Sequence, residues 1–77
     1  MSAISQKKDA AAGAILDAAD RLFERYGFRK TTVDDIAREA GVNVALLNYY
    51  FDGKQELFNI IMREQMLAFK AILVGVL

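Results

Sequence analysis

The 77-residue chain has no cysteine, no histidine, no proline and no tryptophan. Without Cys and His, the usual metal-ligand sets, thiol nucleophiles and imidazole acid–base chemistry are absent, and only carboxylates, Lys and Tyr remain as chemical groups. Neither an enzyme nor a bound metal or other cofactor is expected. The missing Cys also fits a reducing compartment. An excess of either charge is lacking too: ten Lys and Arg balance ten Asp and Glu. Nucleic-acid binding therefore finds no support in net charge and has to rest on local charge. No apolar stretch reaches the roughly 18 residues needed to span a bilayer, and Met1–Lys8 lacks the apolar centre of a signal peptide. The expectation is a soluble, cytoplasmic protein without membrane contact.

What the chain does have is apolar content, at 55% of its residues, in a length that suits one small core. A chain of this size buries only about 60% of the surface its unfolded form exposes. The pattern is helical throughout. Ile15, Leu16, Ala19, Leu22, Phe23 and Tyr26 recur on one face, with Asp17, Asp20, Arg21, Glu24 and Arg25 on the other. This predicts a first helix over 10–26, with Asp9 as N-cap and Gly27 as its stop, after an N-terminal arm over 1–9. Thr32 and Asp35 have the spacing of a helix start, Ile36, Ala37 and Ala40 give that second helix an apolar side, and Gly41 ends it. Asn43 then caps a third helix running from Val44 to Phe51.

Two short helices joined by about three residues containing a Gly form the outline of a helix-turn-helix, here about 31–51. After the Asp52-Gly53 turn, a fourth helix starts at Lys54 and runs on to the end of the chain. Its apolar residues Leu57, Phe58, Ile60, Ile61, Met62, Met66, Leu67, Phe69, Ile72 and Leu73 are too many for one stripe. Part of this helix is expected to pack on the first three, and the rest to face a partner or a second copy. The fold class is all-α: a three-helix bundle over 10–53 with a helix-turn-helix, plus the start of a long fourth helix over 54–77.

A helix that enters the major groove needs small side chains in its first turn. Asn43, Val44 and Ala45 meet that need: the Asn amide matches an adenine edge, and the two small residues match a thymine methyl. Capping and base contact compete for the Asn43 amide, and the cap is the simpler reading. With Leu47 and Phe51 facing inward, Asn48, Tyr49 and Tyr50 are left outward. A tyrosine there can hydrogen-bond phosphate while its ring lies on sugar. Tyr50 falls toward the Leu46 and Phe51 side, so Tyr49 is the stronger phosphate candidate. Lys54, at the start of helix four, joins an ammonium to free backbone N–H groups. Arg29, Lys30, Thr31 and Thr32 make a second such cluster, and Lys7 and Lys8 on the arm a third.

Ile15-Leu16-Asp17-Ala18-Ala19, Leu22-Phe23, Gly27-Phe28, Thr31-Thr32-Val33, Ile36-Ala37, Ala40-Gly41-Val42 and Tyr49-Tyr50-Phe51 with Lys54 and Leu57 together resemble the DNA-binding region of the tetracycline-repressor (TetR) family. The resemblance runs from Ile15 to Leu57 without a gap in register. It implies a transcriptional regulator, a repressor, whose third helix enters the major groove of a palindromic double-stranded DNA operator. It implies a homodimer in the full-length form and a small-molecule effector bound by a C-terminal domain that these 77 residues do not include. The family's DNA contacts fall on Thr32, Asn43, Val44, Ala45, Asn48, Tyr49, Tyr50 and Lys54. Asn48 stands where Tyr is common and Tyr50 where His is common, while Asp34 puts a carboxylate where some members have a basic or neutral contact. Two alternatives come from the residues themselves. One is a helical protein–protein interaction module whose helix-turn-helix no longer binds DNA; the other is a carboxylate-based hydrolase using Asp34, Asp35 and Glu39.

Overall fold

The computed structural model describes the backbone of residues 3–75 and the side chains of residues 10–67. Four helices follow in order: α1 Ala3–Tyr26, α2 Val33–Ala40, α3 Val44–Tyr50 and α4 Gly53–Gly75. The expected all-α class holds, and no strand occurs among the described residues. No helix among them is long and apolar enough to cross a membrane.

One expected boundary moves. Asp9 does not cap α1, because the helix is already formed from Ala3, and the segment 1–9 expected as an arm lies largely within it. The run Gln6-Lys7-Lys8-Asp9-Ala10-Ala11-Ala12 contains no Gly or Pro and several strong helix formers, so nothing local stops the helix at Ala10. The side chains of Lys7, Lys8, Phe69, Ile72 and Leu73 lie outside the described residues.

α2 starts and ends as its residues dictate. Thr32 Oγ1 accepts a hydrogen bond from the Asp35 backbone N–H, and the Asp35 carboxylate accepts one from the Thr32 N–H, a complete capping box. At the other end Gly41 takes φ 75°. Its N–H donates to the Arg38 carbonyl at 3.2 Å, and Val42 N–H reaches back to Ala37 O at 2.9 Å. These paired bonds are the Schellman closure, which needs a residue free to adopt the left-handed conformation. The turn they make sends α3 across α2.

The core lies where α1, α2, α3 and α4 meet. Ile15, Ala18 and Ala19 of α1, Ile36 and Ala37 of α2, Leu47 and Phe51 of and after α3, and Leu57 and Ile61 of α4 are buried. α1 contacts each of the other three helices. Its paired alanines offer almost no side-chain volume, which lets α2 and α3 come close to its axis. Tyr26, expected on this apolar face, is instead 53% exposed, with the Arg25 guanidinium 5.4 Å from its ring centre. It sits in the last turn of α1, at the rim of a cavity that Lys30, Asp35, Arg38 and Glu39 also line.

α4 divides its apolar residues as the sequence requires. Leu57 and Ile61 are buried, Phe58 and Ile60 half-buried, and Met62, Met66 and Leu67 exposed.

Candidate nucleic-acid interface

α3 has two unlike faces. Leu47 is fully buried, and Val44 and Tyr50 pack partly against the core. Ala45, Asn48 and Tyr49, at i, i+3 and i+4, share the opposite face and are all exposed. Tyr49 is 67% exposed, and its ring meets the Tyr50 ring edge-on at 5.1 Å. The half-buried Tyr50 thus braces an exposed Tyr49, the difference in burial expected for these two tyrosines.

Asn43 is settled as a cap. Its Oδ1 accepts the Leu46 N–H at 2.7 Å, in extended backbone at the start of α3. Only the amide oxygen is used in this way. The NH2 group has no hydrogen-bond partner among the described residues, so capping takes one end of the amide and leaves a donor at the first turn of α3.

The second cluster, before α2, is arranged differently from expectation. Arg29, Lys30 and Thr32 are exposed. The Thr32 hydroxyl is engaged with Asp35, accepting its backbone N–H at 3.1 Å and facing its carboxylate. Thr31 is not available: it is 1% exposed, and its hydroxyl donates to Gly27 O at 2.9 Å, with Leu22 O at 3.3 Å. A hydroxyl in a sequence of polar residues looks surface-bound, but here it satisfies carbonyls left over at the end of α1. Thr31 is therefore removed from the candidate contacts.

Lys54 is the second residue of α4, and its ammonium turns away from its own helix start. Nζ donates to Phe28 O at 2.7 Å, lies 3.5 Å from Arg29 O, and sits 4.3 Å from the centre of the Phe28 ring. Phe28 in turn packs against Phe23 at 5.4 Å and Phe58 at 5.2 Å. This aromatic group was missed in the sequence, although its signal is present. Gly27 N–H bonds Phe23 O at 2.9 Å, so Gly27 is the left-handed stop of α1 and Phe28 the apolar residue after it, which characteristically packs back on the helix's last turn.

The carboxylates are mostly engaged near α2. Asp35 belongs to the capping box and lies 3.5 Å from Arg38, and Glu39 pairs with Arg21 at 3.4 Å. Hydrogen bonding from the Thr32 side chain, then from the Thr32 backbone N–H, holds the Asp35 carboxyl below its ordinary value, and Arg38 adds to this. Asp35 and Glu39 line one cavity with Tyr26, Lys30 and Arg38, and Asp34 is not among its lining residues. No group of three or more potential metal ligands occurs among the described residues.

The model of bacterial regulatory proteins of the tetR family matches residues 15–61, more than half of the chain. The chain belongs to this family. The HTH-type transcriptional regulator BetI of Agrobacterium fabrum is 50% identical over 44 residues, 57% of this chain and 21% of that protein. The HTH-type transcriptional regulator RutR of Escherichia coli K12 is 40% identical over 62 residues, 80% of this chain and 27% of that protein. A crystal structure of a HlyIIR mutant protein superposes with a TM-score of 0.71 at 37% identity, covering 74% of this chain and 32% of that one. The chain thus spans between a fifth and a third of the length of these relatives. The matched region of this tetR-family chain takes in the last part of α1, the whole of α2 and α3, and the first turns of α4.

Proposed function

We propose that this chain is the DNA-binding head of a tetR-family transcriptional regulator and that α3 reads the major groove. The observation that carries this reading is the exposed face formed by Ala45, Asn48 and Tyr49 on a helix whose other side is locked into the core. Ala45 lets the helix approach the groove floor closely. Asn48 can bond a base edge in two directions, and the Tyr49 hydroxyl can reach a phosphate. Asn43 through its NH2 group, and Arg29 and Lys30 ahead of α2, supply further donors, with Thr32, Val44, Tyr50 and Lys54 holding these in place more than touching DNA.

In the full-length form a homodimer would set two copies of α3 in successive major grooves, about one helical turn apart, on a palindromic operator. Small-molecule control would come through a C-terminal domain. Repression is the proposed sense of regulation, as the name of a similar protein, the icaADBC HTH-type negative transcriptional regulator IcaR of Staphylococcus epidermidis, states for that protein. With no net charge, non-specific affinity is weak and binding depends on the right site.

The reading is tested by selecting duplexes from a randomised pool and measuring the binding of the enriched sequence by fluorescence anisotropy across a salt series. Enrichment of a common half-site, with affinity falling as salt rises and falling further in Asn48→Ala, is the expected outcome. Failure to enrich any sequence, together with no binding at low salt, would overturn it.

A further inference from the structure

The Phe28 carbonyl is a junction. It accepts the Thr31 N–H at 3.3 Å, which closes the turn between α1 and α2, and it accepts the Lys54 ammonium at 2.7 Å. The same ammonium lies on the Phe28 ring, and that ring is held between Phe23 of α1 and Phe58 of α4. One side chain from the first turn of α4 thereby binds both the backbone and the ring of a residue that lies 26 positions earlier in the chain. Arg29, Lys30 and the Thr32 cap follow directly on that residue.

Resting on the DNA-binding reading above, we propose that Lys54 is a positioning residue: it ties the start of α4 to the turn at 28–31, so that Arg29, Lys30 and Thr32 keep their place relative to α3. An ammonium that donates to a carbonyl and covers an aromatic face is a charge-assisted contact with fixed geometry. α3 leads into α4 through Phe51 and Asp52 alone, so the position of the first turn of α4 follows that of α3. Lys54 passes that position to the cluster before α2. Its effect on DNA binding runs through the turn, and its own charge is directed into the protein.

The test uses Lys54→Met, which keeps an apolar stem over the Phe28 ring and loses the donor, and Lys54→Arg, which restores a cation. In the free protein, amide exchange at Thr31 is expected to speed up on the order of tenfold in Lys54→Met, the worth of about one hydrogen bond to a charged group. Exchange at Ile36 and Leu57 should change much less, and Lys54→Arg should recover most of the protection. Equal acceleration at all three amides, or none at Thr31, would overturn the tie.

On a bound duplex, Arg29→Ala should weaken affinity several-fold in the native background and clearly less in Lys54→Met, because an untied turn no longer holds Arg29 against phosphate. Independent, multiplying effects of the two substitutions would show Lys54 acting on DNA by itself and would overturn the positioning role. If the native chain binds no duplex, the proposed function falls, and the exchange experiment alone decides whether Lys54 ties the turn.

Discussion

Thr32 and Asp35 hold each other at the start of α2, the hydroxyl taking the Asp35 N–H at 3.1 Å and the carboxylate taking the Thr32 N–H at 3.2 Å. The pair satisfies two of the helix's orphan donors and puts a negative charge at its positive end. Thr32→Ala is expected to cost about 1 kcal/mol in thermal or denaturant unfolding followed by circular dichroism.

The pair also sets a pH dependence. Asp35 is held below its ordinary value in the folded state, chiefly by the Thr32 side chain and then by its backbone N–H. A depressed folded pKa means that the unfolded chain takes up the proton first as pH falls. The stability that Asp35 contributes is therefore complete above its unfolded value, near 4, and is lost as pH drops through the lower folded one. Asp35→Asn should reduce the loss of stability below about pH 4 and leave the slope above pH 5 unchanged. An unaltered acid limb in that variant would mean that other carboxylates govern it.

Two glycines with equally open surroundings should respond in opposite directions to a methyl group. Nothing lies within 4 Å of a Cβ built at Gly13 or at Gly41, but only Gly41 has a positive φ, of 75°. Gly13 sits inside α1, where Ala narrows the unfolded ensemble and favours the helix, so Gly13→Ala should add about 0.5–1 kcal/mol. Gly41→Ala forces a side chain into the left-handed region and should cost about 1–2 kcal/mol. Unfolding midpoints in urea settle both signs.

The helices were legible because their signals are local: the capping box at Thr32, the Gly stops at 27 and 41, and the Asn43 cap all act within five residues. The faces were legible for the same reason, and Tyr49 separates from Tyr50 by one step of 100° around α3. What could not be read depends on groups far apart in sequence. Thr31 looked like a surface hydroxyl until its carbonyl partners at Leu22 and Gly27 were in place. Lys54 looked like an anion site at a helix start, and only the folded chain brings the Phe28 carbonyl to its ammonium. The early start of α1 is a further case, since Asp9 is a good cap residue by type and the helical run before it overrides that preference.

Thr31 and Tyr49 provide a test that separates structure from binding. Thr31→Val keeps the buried shape and deprives Gly27 O and Leu22 O of their donor, which should cost about 1–2 kcal/mol of stability. DNA affinity per folded molecule should then stay close to native. Tyr49→Ala removes an exposed ring and should cost less than about 1 kcal/mol, because little of it is buried. Its effect should fall on the affinity for a selected duplex, which should drop several-fold. A Thr31→Val protein that stays fully folded in mild denaturant but has lost DNA binding would restore Thr31 as a contact.

The apolar residues of α4 should likewise split by position along one helix. Ile61 is 5% exposed and sits in the core with Leu57, so Ile61→Ala should cost about 2–4 kcal/mol, from lost transfer energy and the cavity left behind. Met66 and Leu67 are 61% and 59% exposed, only one to two turns further on. Leu67→Gln gives up little buried surface and keeps a good helix former, so its cost in the same urea titration should stay within about 0.5 kcal/mol. A cost near that of Ile61→Ala would mean that Leu67 is covered when the chain is in solution. Repeating the titration at tenfold higher protein concentration then shows whether a second copy provides the cover, because only an intermolecular contact makes the midpoint depend on concentration.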